Sequence, residues 1–241
     1  METRRYTLVD APFAERSGRG VTIAVVDSGV ASGHPHIGVV SRGICLDAAG
    51  LEGSDIADRI GHGTAVAAAI LEKAPAAALM AVRVFDRELT TSAAVLALGI
   101  TWAAEHGAQL INLSLGTPNV AREAVLRSAV ERAASLGAIV VSAREVNGAL
   151  WLPGSLTGVV GVTLDWQCPR DSIIIDAAPD GTTVFRASGY PRPIPGVAPQ
   201  RNLSGISFAV ANVTGFLARA MEGSDAMNAE QLVQLLSTHS I

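Results

Sequence analysis

The sequence has little of what marks a membrane, nucleic-acid-binding or disulfide-rich protein. Its longest apolar stretches, such as Val21–Val26 and Ala138–Val141, are far shorter than the roughly 20 residues that span a bilayer. The net charge is -4, and the sequence contains no cluster of basic residues that would attract the phosphates of a nucleic acid. Two cysteines, Cys45 and Cys168, are too few for a disulfide framework. We therefore expect neither a nucleic-acid nor a membrane partner.

The start of the chain also lacks a targeting signal. Met1–Arg5 contains no apolar segment of the kind found in secretory signals, and it leaves no room for a folding propeptide before the first predicted strand. Unpaired thiols are typical of a reducing compartment. We therefore expect a cytoplasmic protein. Because no repeat, low-complexity tract or linker divides the chain, we predict one domain over residues 1–241.

The sequence does contain a regular alternation of strand and helix patterns. The β-branched run Val21–Val26 is typical of a strand that is buried on both faces. Further strands are predicted at Ala81–Phe85, Leu110–Leu113, Ala138–Ser142 and Gly158–Leu164. Helices are predicted at Ala65–Leu71, Ser92–Glu105, Val120–Leu136, Ser207–Met221 and Ala229–Leu236. This alternation predicts an α/β fold in which helices cover both faces of a parallel sheet.

Three polar residues lie where functional sites usually form in such a sheet, beyond the carboxyl ends of strands or at the starts of helices. Asp27 directly follows Val21–Val26, His62 opens an apolar helix, and Ser207 opens another helix. Each has an ordinary alternative explanation, as a turn aspartate, a loop histidine or a helix N-cap serine. Together they are what a serine nucleophile requires, because an imidazole must take the hydroxyl proton and a carboxylate must orient the imidazole.

The segments around these residues resemble the motifs of the subtilase family of serine peptidases. Val25–Val30 is similar to the family's aspartate motif, Gly61–Thr64 to its histidine motif and Ser204–Ala209 to its serine motif. They occur in the chain order Asp, His, Ser, as in subtilisin. Ile111–Gly116 is similar to the segment that lines the family's substrate cleft. The resemblance covers nearly the whole chain.

This resemblance implies a three-layer α/β/α sandwich with a mostly parallel central sheet. It implies a serine endopeptidase that forms an acyl-enzyme, with Asp27, His62 and Ser207 as the catalytic triad. The expected partner is a peptide or protein substrate, and the expected role is the intracellular processing of a specific peptide. The extended substrate would add as a strand beside three residues of the cleft segment, Ser114, Leu115 and Gly116.

We expect neither a cofactor nor a metal ion. No calcium-binding loop is evident in the sequence. Asp55 and Asp58 lie in a polar loop shortly before His62. We interpret both as solvated loop carboxylates rather than as metal ligands.

The oxyanion hole is the first place where the chain departs from the family pattern. The family has an asparagine donor just after the strand that corresponds to Ala138–Val141. An ungapped alignment places Val146 there, and a one-residue insertion places Asn147 there. We take Asn147 as the candidate oxyanion donor, with the alternative that Asn147-Gly148 forms a turn.

Two further departures leave the function open. Ala211 and Asn212 replace a Pro-His pair of the family, which raises the alternative of a peptide ligase or macrocyclase that uses the same acyl-enzyme. The segment from Asn147 to Gly154 borders the expected pocket for the residue before the scissile bond, and it is short. The sequence therefore indicates no preference at that substrate position. A catalytically weak binding protein with the subtilase fold is a third alternative.

Overall fold

The computed structural model describes residues 3–10, 13–198, 201–225 and 228–238. The helices in these ranges are α1 His62–Lys73, α2 Ala93–Glu105, α3 Glu123–Ser135, α4 Ile206–Met221 and α5 Ala229–Thr238. The strands are β1 Arg4–Thr7, β2 Thr22–Asp27, β3 Val40–Leu46, β4 Glu52–Gly53, β5 Ala78–Arg83, β6 Leu110–Leu113, β7 Ile139–Ala143, β8 Glu145–Val146, β9 Ala149–Leu150, β10 Val160–Leu164, β11 Ser172–Ala177 and β12 Thr183–Ala187.

The described strands form a ten-stranded sheet and a separate hairpin. The order in the sheet is β1-β11-β12-β10-β7-β6-β2-β5-β3-β4, and β8 pairs with β9. Every pairing from β12 across to β3 is parallel. The pairings of β1 with β11, β11 with β12 and β3 with β4 are antiparallel. The predicted, mostly parallel central sheet is confirmed.

Helices cover both faces of the sheet because successive side chains of a strand point to opposite sides. In β2, Ile23 and Val25 belong to the apolar core that also contains residues of α1, α4 and α5. Ala24 and Val26 belong to a second core, shared with α2 and α3. Burial on both faces explains why the sequence of β2 is a continuous apolar run. The α/β/α sandwich is confirmed.

The strongly apolar elements were predicted close to their observed bounds. Val120–Leu136, predicted as one helix, begins with a 3-10 turn at Val120–Arg122 and continues as α3. The sequence did not predict β1, β3, β4, β11, β12 or the β8–β9 hairpin. β3 and β12 carry arginines among their apolar residues, so they lack the apolar run that marks the central strands. The single domain over residues 1–241 remains a prediction.

Within the described ranges, none of the helices combines the length and the apolar character that a membrane crossing requires.

Candidate active site

The candidate site lies where β2 and β6 end side by side. The two strands are parallel neighbours, with Val26 in register with Leu113. Asp27 is the last residue of β2, and Ser114 directly follows β6. His62 is the first residue of α1. Ser207 lies in the first turn of α4, so two helix starts meet two strand ends at this edge.

Asp27 and His62 form a hydrogen-bonded pair. His62 Nδ1 donates to Asp27 Oδ1 over 2.8 Å. The Asp27 side chain is 0% exposed and that of His62 is 12% exposed. Burial opposes protonation of the ring, but the hydrogen bond and charge of Asp27, helped by Asp58, outweigh it and raise the pKa of His62. With Nδ1 occupied, Nε2 is the ring nitrogen left to accept a proton, which is the orientation a general base needs.

α1 reaches β2 closely because a glycine follows the histidine. A Cβ atom on Gly63 would overlap the carbonyl oxygen of Gly29 and lie 3.2 Å from the Asp27 carboxylate. Any larger residue would push the start of α1, and His62 with it, away from Asp27. The Gly63 N–H donates to Ser28 Oγ over 2.9 Å, which ties the first turn of α1 to the residue after Asp27.

Asp58 provides the rest of the cap of α1. Its carboxylate accepts hydrogen bonds from Ser28 Oγ at 2.9 Å, from the backbone N–H groups of Ile60 at 3.0 Å, Gly61 at 2.7 Å and Thr64 at 2.8 Å, and from Thr64 Oγ1 at 2.6 Å. Burial raises the pKa of Asp58, but these hydrogen bonds outweigh it, so the pKa is lowered overall. No side chain caps α1 at Gly61 itself. Asp58 therefore positions the helix that carries His62.

This role corrects the interpretation of Asp58 as a solvated loop carboxylate. Asp58 is half-buried, and its signal in the sequence was only a carboxylate shortly before a helix start. Asp55 is exposed and pairs with Arg59 at 2.7 Å. Across the residues that the structure describes, no group of three or more histidine, cysteine or acidic side chains is arranged to hold a metal ion.

Ser207 and Ser114 are joined by two reciprocal hydrogen bonds. Ser207 Oγ donates to the Ser114 carbonyl over 3.1 Å, and Ser114 Oγ donates to the Ser207 carbonyl over 3.2 Å. Asn112 Nδ2 donates to Ser114 Oγ over 2.9 Å, and Thr214 Oγ1 donates to Asn112 Oδ1 over 2.9 Å. This buried network, which the sequence did not predict, links the end of β6 to α4.

The imidazole also contacts the start of α4. The His62 ring and the ring of Phe208, the residue after Ser207, have centroids 5.8 Å apart. Between the described residues, no hydrogen bond joins Ser207 to His62, since the Ser207 hydroxyl donates to Ser114 instead. Proton transfer to His62 requires the hydroxyl to leave that carbonyl.

Asn147 lies in the turn of the β8–β9 hairpin. Its φ of 52° and the φ of 78° at Gly148 are typical of a two-residue hairpin turn. Residues 145 and 150 pair across the hairpin, as do 146 and 149, and Asn147 is exposed. The alternative prediction of a turn is confirmed. This geometry does not support Asn147 as an oxyanion donor, because no described contact joins it to Ser207.

A backbone donor is available at Ser207 itself. The first N–H groups of a helix have no partner within the helix, and Ser207 lies in the first turn of α4. Its own N–H can therefore donate to a developing oxyanion.

Asn212 connects α4 to the loop that leads into it. It is fully buried, and its Nδ2 donates to the carbonyls of Ser188 at 2.8 Å and Tyr190 at 3.2 Å. The N–H of Gly205, at the start of α4, donates to the Gly189 carbonyl over 2.8 Å. Asn212 therefore holds the preceding loop against the helix that carries Ser207.

The chain is similar in sequence to known proteins. A model of the subtilase family matches residues 18–145. The chain is 32% identical to thermitase from Thermoactinomyces vulgaris over 242 residues, an alignment that covers 90% of this chain and 81% of thermitase. It is 37% identical to subtilisin Savinase from Lederbergia lenta over 153 residues, covering 58% of this chain and 54% of that protein.

Two solved structures share the fold. One is a cold-adapted subtilisin-like serine proteinase, with a TM-score of 0.70 and 23% identity over 92% of this chain and 83% of that one. The other is the nisin leader peptidase NisP from Lactococcus lactis, with a TM-score of 0.64 and 18% identity over 91% of this chain and 82% of that one. At these identities the likeness concerns the fold, and it agrees with the predicted subtilisin-like architecture.

Proposed function

Because the chain belongs to the subtilase family of serine peptidases, as its motifs predicted, we propose that Asp27, His62 and Ser207 are its catalytic triad. Relatives named thermitase, subtilisin and alkaline protease confirm the predicted enzyme class, a serine endopeptidase. The observation that carries the triad is the 2.8 Å hydrogen bond from His62 Nδ1 to the buried Asp27 carboxylate, at the edge of the sheet where Ser207 also lies.

In the proposed reaction, Ser207 Oγ forms a bond to the scissile carbonyl carbon while its proton passes to His62 Nε2. The negative charge that develops on the carbonyl oxygen accepts a hydrogen bond from the Ser207 N–H. The C–N bond then breaks, and His62 gives the proton to the leaving amine, which leaves an acyl-enzyme. Water repeats the sequence, so the acid is released and Ser207 regains its proton.

The substrate would pair with the extension of β6. A peptide strand beside Ser114, Leu115 and Gly116 can exchange backbone hydrogen bonds with this segment. Its N–H would compete with the Ser207 hydroxyl for the Ser114 carbonyl, which now accepts the hydroxyl at 3.1 Å. We infer that substrate binding thereby releases the hydroxyl towards His62.

Transfer of the acyl group to an amine, rather than to water, is a second candidate outcome. It is motivated by Ala211, which is fully buried within the regular helix α4, at a position where the family carries proline. A changed start of this helix would alter how the acyl group on Ser207 is presented to a nucleophile. Adding a peptide amine during cleavage and weighing the products separates ligation from hydrolysis.

A cytoplasmic location and the processing of a specific peptide are part of the proposal. The free thiols of Cys45 and Cys168 are compatible with a reducing compartment. Fractionation of the source cells, with detection of the full chain, tests the location.

The triad is tested by intact mass after exposure to a fluorophosphonate. We expect one adduct per chain on the wild-type protein, none on Ser207→Ala and little on His62→Ala. Cleavage of a peptide library by the wild-type protein should be lost in both variants. A folded wild-type protein that gains no adduct and cleaves nothing would contradict the proposal and would favour a binding protein with this fold.

A further inference from the structure

The segment from Asn147 to Gly154, which the sequence places at the expected pocket for the residue before the scissile bond, joins the extensions of β6 and β7. The Trp151 N–H donates to the carbonyl of Arg144, just past the end of β7, over 2.8 Å. Leu152 and Thr117, just past the end of β6, exchange two backbone hydrogen bonds of 2.8 and 2.9 Å. Trp151 and Leu152 therefore bridge the two extensions.

The Trp151 ring lies beside the substrate-binding segment. A Cβ atom on Gly116 would lie 3.4 Å from Trp151 Cε3 and would overlap the Leu152 carbonyl oxygen. Gly116 thus lets the bridging segment approach closely, and the indole edge borders the space beside Gly116. Trp151 itself is only half-buried.

We propose that Trp151 determines specificity by restricting the residue before the scissile bond to a small side chain, such as that of glycine, alanine or serine. This inference rests on the proposed function. In the proposed binding mode, a peptide pairs beside Ser114–Gly116 with its scissile carbonyl at Ser207, and the side chain of the residue before the scissile bond lies over Gly116, beside the Trp151 indole. An indole at this position leaves too little room for an aromatic side chain.

The charged residue next to this segment does not favour an acidic substrate. Arg144 is buried, and its Nη2 donates to Asp180 Oδ2 over 2.5 Å. Hydrogen bonds from Thr182, together with the Arg144 guanidinium, lower the pKa of Asp180 to about 2, so this pair stays ionised at neutral pH. The Arg144 charge is therefore already matched, and size rather than charge should decide which substrates fit.

The test compares three peptides that differ only at the residue before the cleaved bond, which is alanine, valine or phenylalanine. We expect wild-type kcat/KM to fall from alanine to phenylalanine by at least about 100-fold, since even one methylene in a pocket is worth about 10–200-fold. In Trp151→Ala we expect the phenylalanine peptide to improve at least about tenfold relative to the alanine peptide. Trp151→Leu should give an intermediate profile.

Trp166→Ala is the matched control. Trp166 lies just past the end of β10, is 47% exposed, and packs against Tyr190 with ring centroids 5.2 Å apart. Removing this second tryptophan should leave the ratio between the three peptides unchanged.

The wild-type profile alone can overturn the inference, without any variant having to fold. Equal cleavage of the phenylalanine and alanine peptides would refute the restriction while leaving the proposed peptidase intact. An unchanged ratio in a folded, phosphonate-reactive Trp151→Ala would refute the role of Trp151. Absence of both cleavage and phosphonate adduct on the wild-type protein would instead refute the proposed function, and the specificity with it.

Discussion

Replacing Asp58 by asparagine should weaken the support of α1 and shift the titration of His62. The carboxylate of Asp58 accepts five hydrogen bonds, three of them through Oδ1 and two, from Thr64, through Oδ2. An asparagine can keep the three bonds to one oxygen, but its NH₂ group then faces the backbone N–H of Thr64. That N–H, in the first turn of α1, is left without an acceptor.

The magnitude follows from these contacts. Losing a hydrogen bond to a charged group costs about 1.5–3 kcal/mol. Losing a negative charge at a helix N-terminus costs about 0.3–1 kcal/mol more. We therefore expect Asp58→Asn to lower the free energy of unfolding by about 2–4 kcal/mol, which for a domain of this size lowers Tm by roughly 4–16 °C. Because Asp58 also helps to raise the pKa of His62, that pKa should fall.

Urea and thermal unfolding measure the first effect, and the pH dependence of phosphonylation measures the second. Asp55→Asn is the matched control, because Asp55 lies in the same loop and its exposed carboxylate makes ion pairs with Arg59 at 2.7 Å and, less closely, with Arg83 at 3.4 Å. Such pairs are worth about 0–1 kcal/mol. If the two variants unfold with the same free energy, within about 0.5 kcal/mol, the assignment of Asp58 as the cap of α1 is refuted.

Three further predictions follow from buried polar groups. The rate of phosphonylation should increase with pH, and the midpoint of this increase should lie above 6.5, the ordinary pKa of histidine, because His62 must be neutral and its pKa is raised. Asp27→Asn should move this midpoint to lower pH and lower the rate about 10⁴-fold. Lys73 is buried, and burial lowers its pKa from 10.5 to about 8. Near pH 7, Lys73→Met should therefore be more stable than the wild-type protein by up to about 3 kcal/mol. This difference in stability should disappear between pH 8 and 10.5. Asn212→Asp, within α4, buries a charge against two carbonyls and should lower the free energy of unfolding by more than about 3 kcal/mol, whereas Asn202→Asp, in the loop before α4, should lower it far less.

Each of these predictions has a result that would contradict it. Because its pKa is raised, protonated His62 stabilises the folded state below pH 6.5. This stabilisation is lost as the pH rises through the pKa of His62 in the folded state. A midpoint of the phosphonylation rate below pH 6.5 would contradict a raised pKa. Between pH 8 and 10.5, Lys73 of the wild-type protein binds a proton in the unfolded state but not in the folded state. The free energy of unfolding of the wild-type protein should therefore rise with pH relative to that of Lys73→Met, and a constant difference would contradict the lowered pKa. If urea unfolding shows that Asn212→Asp and Asn202→Asp lower the free energy of unfolding equally, the proposed role of Asn212 in holding the preceding loop against α4 is refuted.

Much of the fold follows from the sequence because buried parallel strands need continuous apolar runs. Val21–Val26 shows this pattern, and β2 is a central strand with both faces covered. The same logic placed Asp27 at a strand end. The helices that begin near His62 and Ser207 were predicted from a different pattern, since apolar residues recur there with the helical period. β3 and β12 lack such runs, and their pairing depends on the neighbours that the chain brings beside them.

The sequence by itself determined the fold class, the family and the three candidate catalytic residues, because these depend on apolar periodicity and on short motifs. Only the tertiary structure decided that Asp58 caps α1, since two of its partners, Ser28 and Thr64, come from either side of it in the chain. It also decided that Asn147 lies in a turn and that Trp151 borders Gly116. The roles of Asp58 and Trp151 depend on contacts with Ser28 and Gly116, which are distant from them in the chain, and no local pattern encodes that proximity. The Asn147-Gly148 turn is local, and the structure decided between the two alternatives that the sequence left open.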